Sequence, residues 1–226
     1  MGPLLTAKPI NVQVRHRTFF APPCYEIYKV EVSTALAAKF AETYGLKSTD
    51  IIVNQNAAAS QYLSFRYFLQ GEPIRYMDAF VGIDQGELVF SNPATVPELV
   101  NEFGRAWKII LETLSPMIRN SYFEATLHCE TEKPGTKAFL DEMVKVPSES
   151  AELRRGFSLM RQFADSATKL SLEVSDSVQD GLYVAFASVS TEGLRDMSSF
   201  SRLYESTLTA YRTLQNIASV HLVEPT

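Results

Sequence analysis

The sequence predicts an α+β protein, with antiparallel sheet covered on one face by long amphipathic helices. Alternation of apolar and polar residues over 10–20, 122–130 and 168–178 marks half-buried strands. Apolar residues at three- and four-residue steps over 96–118 and 199–218 mark two long helices. Spacers such as Gly71-Glu72-Pro73, Asp84-Gln85-Gly86 and Gln179-Asp180-Gly181 permit hairpins and are too short for helical crossovers, so neighbouring strands should run antiparallel.

The first strand places Ile10, Val12, Val14, His16, Thr18 and Phe20 on one side and Asn11, Gln13, Arg15 and Arg17 on the other. After Ala21-Pro22-Pro23, residues 25–32 read as β-rich, and Ser33 or Thr34 then caps a short Ala-rich helix over 35–44 that Gly45 stops. Segments 51–53, 61–69, 74–83 and 88–90 follow as strands, and the Gly-containing spacers make 61–90 an antiparallel meander. Val96, Leu99, Val100, Phe103, Trp107, Ile110, Leu111, Leu114 and Ile118 lay one stripe along a helix, begun by Thr95 with Pro97 and Glu98 and ended near Pro116.

The second half repeats this order. A strand over 122–130 is cut by Lys133-Pro134-Gly135, and helical stretches are expected over 136–144 and 150–163. A hairpin of 168–178 with 182–189 follows, and then a helix over 199–218 with Phe200, Leu203, Tyr204, Leu208, Tyr211, Leu214 and Ile217 on one face. The shared order suggests an internal duplication of a β-α-β-β-α unit, with halves 1–119 and 120–226 packed as one compact unit. In element order the chain resembles duplicated TATA-binding-protein-like folds and the helix-grip folds, in which a curved sheet closes around a long helix. That resemblance implies a sheet-and-helix architecture and brings no functional residue with it.

The 226 residues are 46% hydrophobic and 21% charged, which excludes collagen-like, low-complexity and disordered classes. A chain of this length buries roughly 70% of its unfolded surface, so its core needs no metal or disulfide staple. Formal net charge is -5, and it resides in the second half: 11 basic and 11 acidic residues precede position 120, whereas 10 and 15 follow. A surface that is basic overall is therefore excluded, although a local basic patch is not. Cys24 and Cys129 are far apart and without CxxC spacing, which predicts two free thiols in a reducing compartment. Residues 1–9 lack the basic and apolar regions of a signal peptide and the myristoylation pattern, and no apolar run approaches the roughly 20 residues of a membrane helix. A cytoplasmic protein without membrane contact is expected.

Candidate chemistry is sparse. His128-Cys129-Glu130 contains the parts of a thiol nucleophile site, but neighbouring strand residues point to opposite faces, which leaves Cys129 buried and His128 outside. The histidines and cysteines are too scattered for a zinc set, so no metal and no cofactor is expected, and His16 should be a hydrogen-bonded core histidine. Walker A, G-x-G-x-x-G, G-x-S-x-G and H-E-x-x-H patterns do not occur. The sharper feature is arginine and tyrosine on strands. Arg15, Arg17, Arg66 and Arg75, with Tyr62 and Tyr76, would line an anion- or nucleic-acid-binding sheet face if their sides coincide, or else pair with carboxylates on neighbouring strands.

A well-patterned fold without a converging polar site, carrying 14 Phe and 10 Tyr, points away from an enzyme. It points towards an interaction or assembly subunit, a homo-oligomer or the partner of another protein. Two alternatives stand beside it. One is a module for an anionic ligand or single-stranded nucleic acid on the arginine- and tyrosine-bearing face. The other is a carrier or enzyme with an apolar cavity under the helix over 96–118.

Overall fold

The computed structural model describes residues 4–53, 62–133, 135–144, 156–162, 164–191, 194 and 196–223. In chain order the elements are β1 (Leu5–Phe20), α1 (Val30–Tyr44), β2 (Ile51–Val53), β3 (Leu63–Leu69), β4 (Arg75–Val81), β5 (Gln85–Ser91) and α2 (Val96–Leu114). They continue with β6 (Ile118–Thr131), α3 (Thr136–Val144), β7 (Gly156–Gln162), β8 (Ser166–Val174), β9 (Leu182–Ser190), α4 (Met197–Ile217) and β10 (Val220–Leu222). The strands form one sheet in the order β2-β3-β4-β5-β1-β6-β9-β8-β7. Pairing along it is antiparallel, and β10 alone adds in parallel, to the start of β1. The fold is therefore α+β, as the alternation and hairpin spacers predict, and the long β1–β6 ladder joins the two halves of the chain.

Cross-strand register shows which face the helices cover. Phe65, Ala79, Leu88, His16 and Phe123 form one row across β3, β4, β5, β1 and β6. Phe40 of α1 stacks on Phe65 at 4.2 Å, while Trp107 of α2 and Tyr204 of α4 both reach His16. Phe139 and Leu140 of α3 join the same core beside β7 and β8. An antiparallel sheet can leave its other face without helices, and among the described residues α1, α2, α3 and α4 all pack on this one face.

Local chemistry explains the long helices. Thr95 Oγ1 accepts from the Glu98 N–H at 3.2 Å with Pro97 in the first turn, and α2 ends where Ser115 turns to φ 46° ahead of Pro116. Ile118, the expected last member of the α2 stripe, is instead the buried first residue of β6. Asp196 caps α4 by accepting from the Ser199 N–H at 2.8 Å.

Three further expectations need correction. Residues 25–32 do not form a strand: a 3-10 turn covers Tyr25–Tyr28 and α1 starts at Val30, ahead of the expected Ser33 or Thr34 cap. The β-branched Val30 and Val32 favour a strand locally. However, Val32, Leu36, Phe40 and Tyr44 recur every fourth residue and pack inward, so tertiary burial overrides propensity. Within the stretch expected as helix over 150–163, residues 156–162 are strand β7; 150–155 and 163 lie outside the described residues. The period-2 alternation of Gly156, Phe157, Ser158, Leu159 and Met160 places Phe157 and Leu159 opposite Leu172 and Leu170. Ile10, expected inside with Val12, is 40% exposed, because a bulge between Pro9 and Asn11 shifts the phase of β1.

Candidate functional site

The open face of the sheet carries the residues that β-alternation turns away from the helices. One row crosses eight strands from β3 to β7 as Arg66, Asp78, Val89, Arg15, Glu124, Ala187, Lys169 and Met160. Beside it, Phe80, Glu87, Arg17, Tyr122 and Val189 form the central part of a second row. Arg15, Arg17, Arg66 and Tyr76 thus share this face. Arg75 does not: it has the parity of Met77 and Ala79, and its guanidinium bonds Glu98 of α2 and the backbone oxygens of Gln70 and Asn92. Tyr62 precedes β3 and packs edge-on against Tyr28 at 5.0 Å.

Each guanidinium of the set meets a carboxylate. Glu87, only 5% exposed, accepts from Arg17 Nε at 2.6 Å, and it also forms an ion pair with Arg15 Nε at 3.1 Å. Arg15 extends to Glu124 at 3.6 Å on its other side. Arg66 grips Asp78 with two parallel bonds of 2.7 Å and lies 4.9 Å above the Tyr76 ring. Donation to Asp78 raises the Arg66 guanidinium above its ordinary range, against the opposing effect of burial. Burial, aided by the charge of Glu124, likewise raises the Tyr122 phenol. These pairs hold long side chains in fixed positions and neutralise them across the face.

Glu87 is the keystone of the cluster, because both guanidinium groups converge on one nearly buried carboxylate. Glu87→Gln is expected to cost about 2 kcal/mol in urea unfolding, less than a fully buried pair because both arginines are about one-third exposed. The variant should also gain salt-sensitive affinity for an oligonucleotide or inorganic phosphate, since it leaves Arg15 and Arg17 in excess. An unchanged unfolding midpoint would show that the cluster carries no stability.

The remaining candidates fall apart in space. His128 and Cys129 project to opposite sides: His128 Nδ1 lies 2.8 Å from Ser175 Oγ on the open face, while Cys129 is fully buried and its thiol is pushed up to about 12 by that burial. Burial also raises Cys24, so both thiols stay protonated near neutrality. Among the described residues no group of three His, Cys, Asp or Glu side chains could hold a metal ion, and no helix is long and apolar enough to cross a membrane. His16 is a fully buried, hydrogen-bonded core residue, as its place on the apolar side of β1 predicts.

Sequence reasoning missed Asp78, Glu124 and Lys169 as members of the face. Asp78 was within reach, since folding the β3–β4 hairpin about Glu72 sets 66 opposite 78. Glu124 and Lys169 required the long-range order β1-β6-β9-β8, for which the sequence carries no local signal. No known family description matches the sequence, and no curated protein is significantly similar to it.

Proposed function

We propose that this protein is a non-catalytic assembly subunit that meets a protein partner through the open face of its sheet. The observation that carries the reading is the charge-balanced, pre-organised character of that face. Arg15, Arg17, Arg66 and Lys169 are matched there by Asp78, Glu87, Glu124 and Glu173, and aromatic and aliphatic side chains sit between them. Phe68 is 62% exposed, Val189 38% and Met160 70%, so the face offers apolar contact area around fixed polar groups.

Polyphosphate binding draws on unpaired positive charge, which this arrangement does not favour. A ligand-carrying cavity under α2 is not favoured either: the space that Leu99, Phe103, Phe123 and Tyr204 enclose between α2 and α4 is about 10 Å³, less than a drug-sized ligand needs. Internal duplication belongs to the same reading. The order β5-β4-β3 beside β1 has its counterpart in β9-β8-β7 beside β6, with β2 left over, and α2 and α4 each begin with a side-chain cap on the third helical N–H. Two buried, protonated thiols suit a reducing compartment such as the cytoplasm.

Native mass spectrometry of protein purified gently from its own cells, with and without nuclease, tests the reading. A stoichiometric protein complex indifferent to nuclease is expected. A monomer without a protein partner would overturn the proposal, and bound nucleic acid would replace it with the anion-binding alternative. On the same samples, Phe68→Glu and Val189→Glu should lower partner retention at least tenfold while changing stability by less than about 1 kcal/mol, as surface substitutions do.

A further inference from the structure

At one end of the sheet the described residues of β2 are Ile51–Val53. At the other, β7 is seven residues long, contains no proline and, among the described residues, pairs on one side only, with β8. Every second residue of such a strand directs its N–H and C=O outward, where pairing with another strand satisfies them. Met160, near the middle of the strand, is 70% exposed.

We propose that β7 is a homodimer edge, on which a second copy of this chain pairs antiparallel about a two-fold axis at Leu159 and extends the sheet across both copies. The proposal rests on the assembly reading above and names one of its partners. The register follows from the strand itself. A two-fold axis normal to the sheet keeps the helices of both copies on the same side, so inward-facing residues must oppose inward-facing ones. Of the registers that satisfy this, the one centred on Leu159 pairs all seven residues: Leu159 with its own copy, Phe157 with Arg161, Ser158 with Met160, and Gly156 with Gln162. Arg161, the only charge on β7, then lies across from an aromatic ring instead of another guanidinium. The strand is self-complementary, which a second copy exploits without any further chemistry. The open faces of the two copies would become one continuous surface.

The register makes the test specific. Ser158 and Met160 lie on the open face beside Ser171 and Lys169 of β8, where charge is tolerated by the monomer. In S158E/M160E each new carboxylate would face its counterpart across the two-fold axis, while S158K/M160E would set lysine against glutamate at both places. Sedimentation equilibrium of the full chain should show the wild-type mass rising with concentration from 25.3 kDa towards twice that value. S158E/M160E should lose at least tenfold in association with an unchanged circular dichroism spectrum, and S158K/M160E should recover it. If all three dimerise equally, the contact lies elsewhere: the edge proposal fails and the assembly reading survives. A wild type that stays monomeric but holds another protein in native mass spectrometry also refutes only the edge. A wild type that is monomeric and without any partner refutes both.

Discussion

Trp107→Ala is expected to destabilise the protein by about 5 kcal/mol, a large share of the roughly 5–15 kcal/mol that folded proteins possess. Trp107 is fully buried at the crossing of α2, α4 and the sheet. Its ring stacks on Phe200 with centroids 5.3 Å apart. It also lies so close over β5 that a Cβ on Gly86 would fall 2.7 Å from it, which explains a glycine as the second residue of that strand. Truncation leaves a cavity that these rigid neighbours cannot fill, a loss of about 3–5 kcal/mol, and removes the indole N–H that donates to His16 Nδ1 at 2.9 Å. For a chain of this size the melting temperature should fall by roughly 10–20 °C, read by calorimetry alongside urea unfolding. Trp107→Phe keeps a ring over Gly86 but not the N–H donor, and should cost about 2 kcal/mol. Gly86→Ala attacks the same contact from below and should cost about 1–3 kcal/mol through overpacking. A Trp107→Ala loss below about 2 kcal/mol would mean that the core can close over the site, contrary to this account.

The residues that made the fold legible have local causes. The stripe of α2 follows from a 3.6-residue period with Thr95 and Pro97 at its start, and the β3–β4–β5 meander follows from spacers too short for anything but hairpins. What stayed hidden depends on distant partners. Val30 and Val32 prefer a strand until a buried surface beneath Phe40 makes the helix better. The bulge at Ile10 reverses the phase of β1 at its start, and Pro9 beside it is the local signal that a reading by alternation alone passes over. The open face shows the same division. Alternation gave the shared side of Arg15 and Arg17, whereas their convergence on Glu87 exists only because β5 lies beside β1, after a detour of some seventy residues. A row of arginines on a strand reads the same in the sequence whichever neighbours it meets, and only the order of the strands sets Arg15, Arg17 and Arg66 beside Glu87, Glu124 and Asp78.

The last expected result concerns acid. His16 sits on the inner face of β1 beneath α2 and α4, surrounded by Phe103, Trp107, Phe123, Phe200 and Tyr204, with no carboxylate among them. Because the Trp107 indole can only donate, Nδ1 is the acceptor, which places the single imidazole proton on Nε2. The Tyr204 hydroxyl also lies 2.9 Å from Nδ1, and burial keeps that phenol protonated. Burial without a counter-charge lowers the imidazole from 6.5 to about 3. The unfolded chain therefore binds a proton that the folded one refuses throughout that window. Stability must fall as the pH drops from 6.5 towards 3, by up to about 1.4 kcal/mol for each unit, with no contribution from this group above 6.5. Carboxylates titrate over part of the same range, so the group is isolated by difference. His16→Gln keeps an acceptor for Trp107 but does not titrate, and should be less stable than the wild type at pH 7.5 by about 1–2 kcal/mol. Urea unfolding at pH 7.5, 6.5, 5.5 and 4.5 should then show the gap unchanged between the first two and closing, or reversing, over the last two. A gap that stays constant from 7.5 to 4.5 would show that the imidazole is charged inside the fold or reaches solvent, and the neutral, tryptophan-bonded His16 would have to be abandoned.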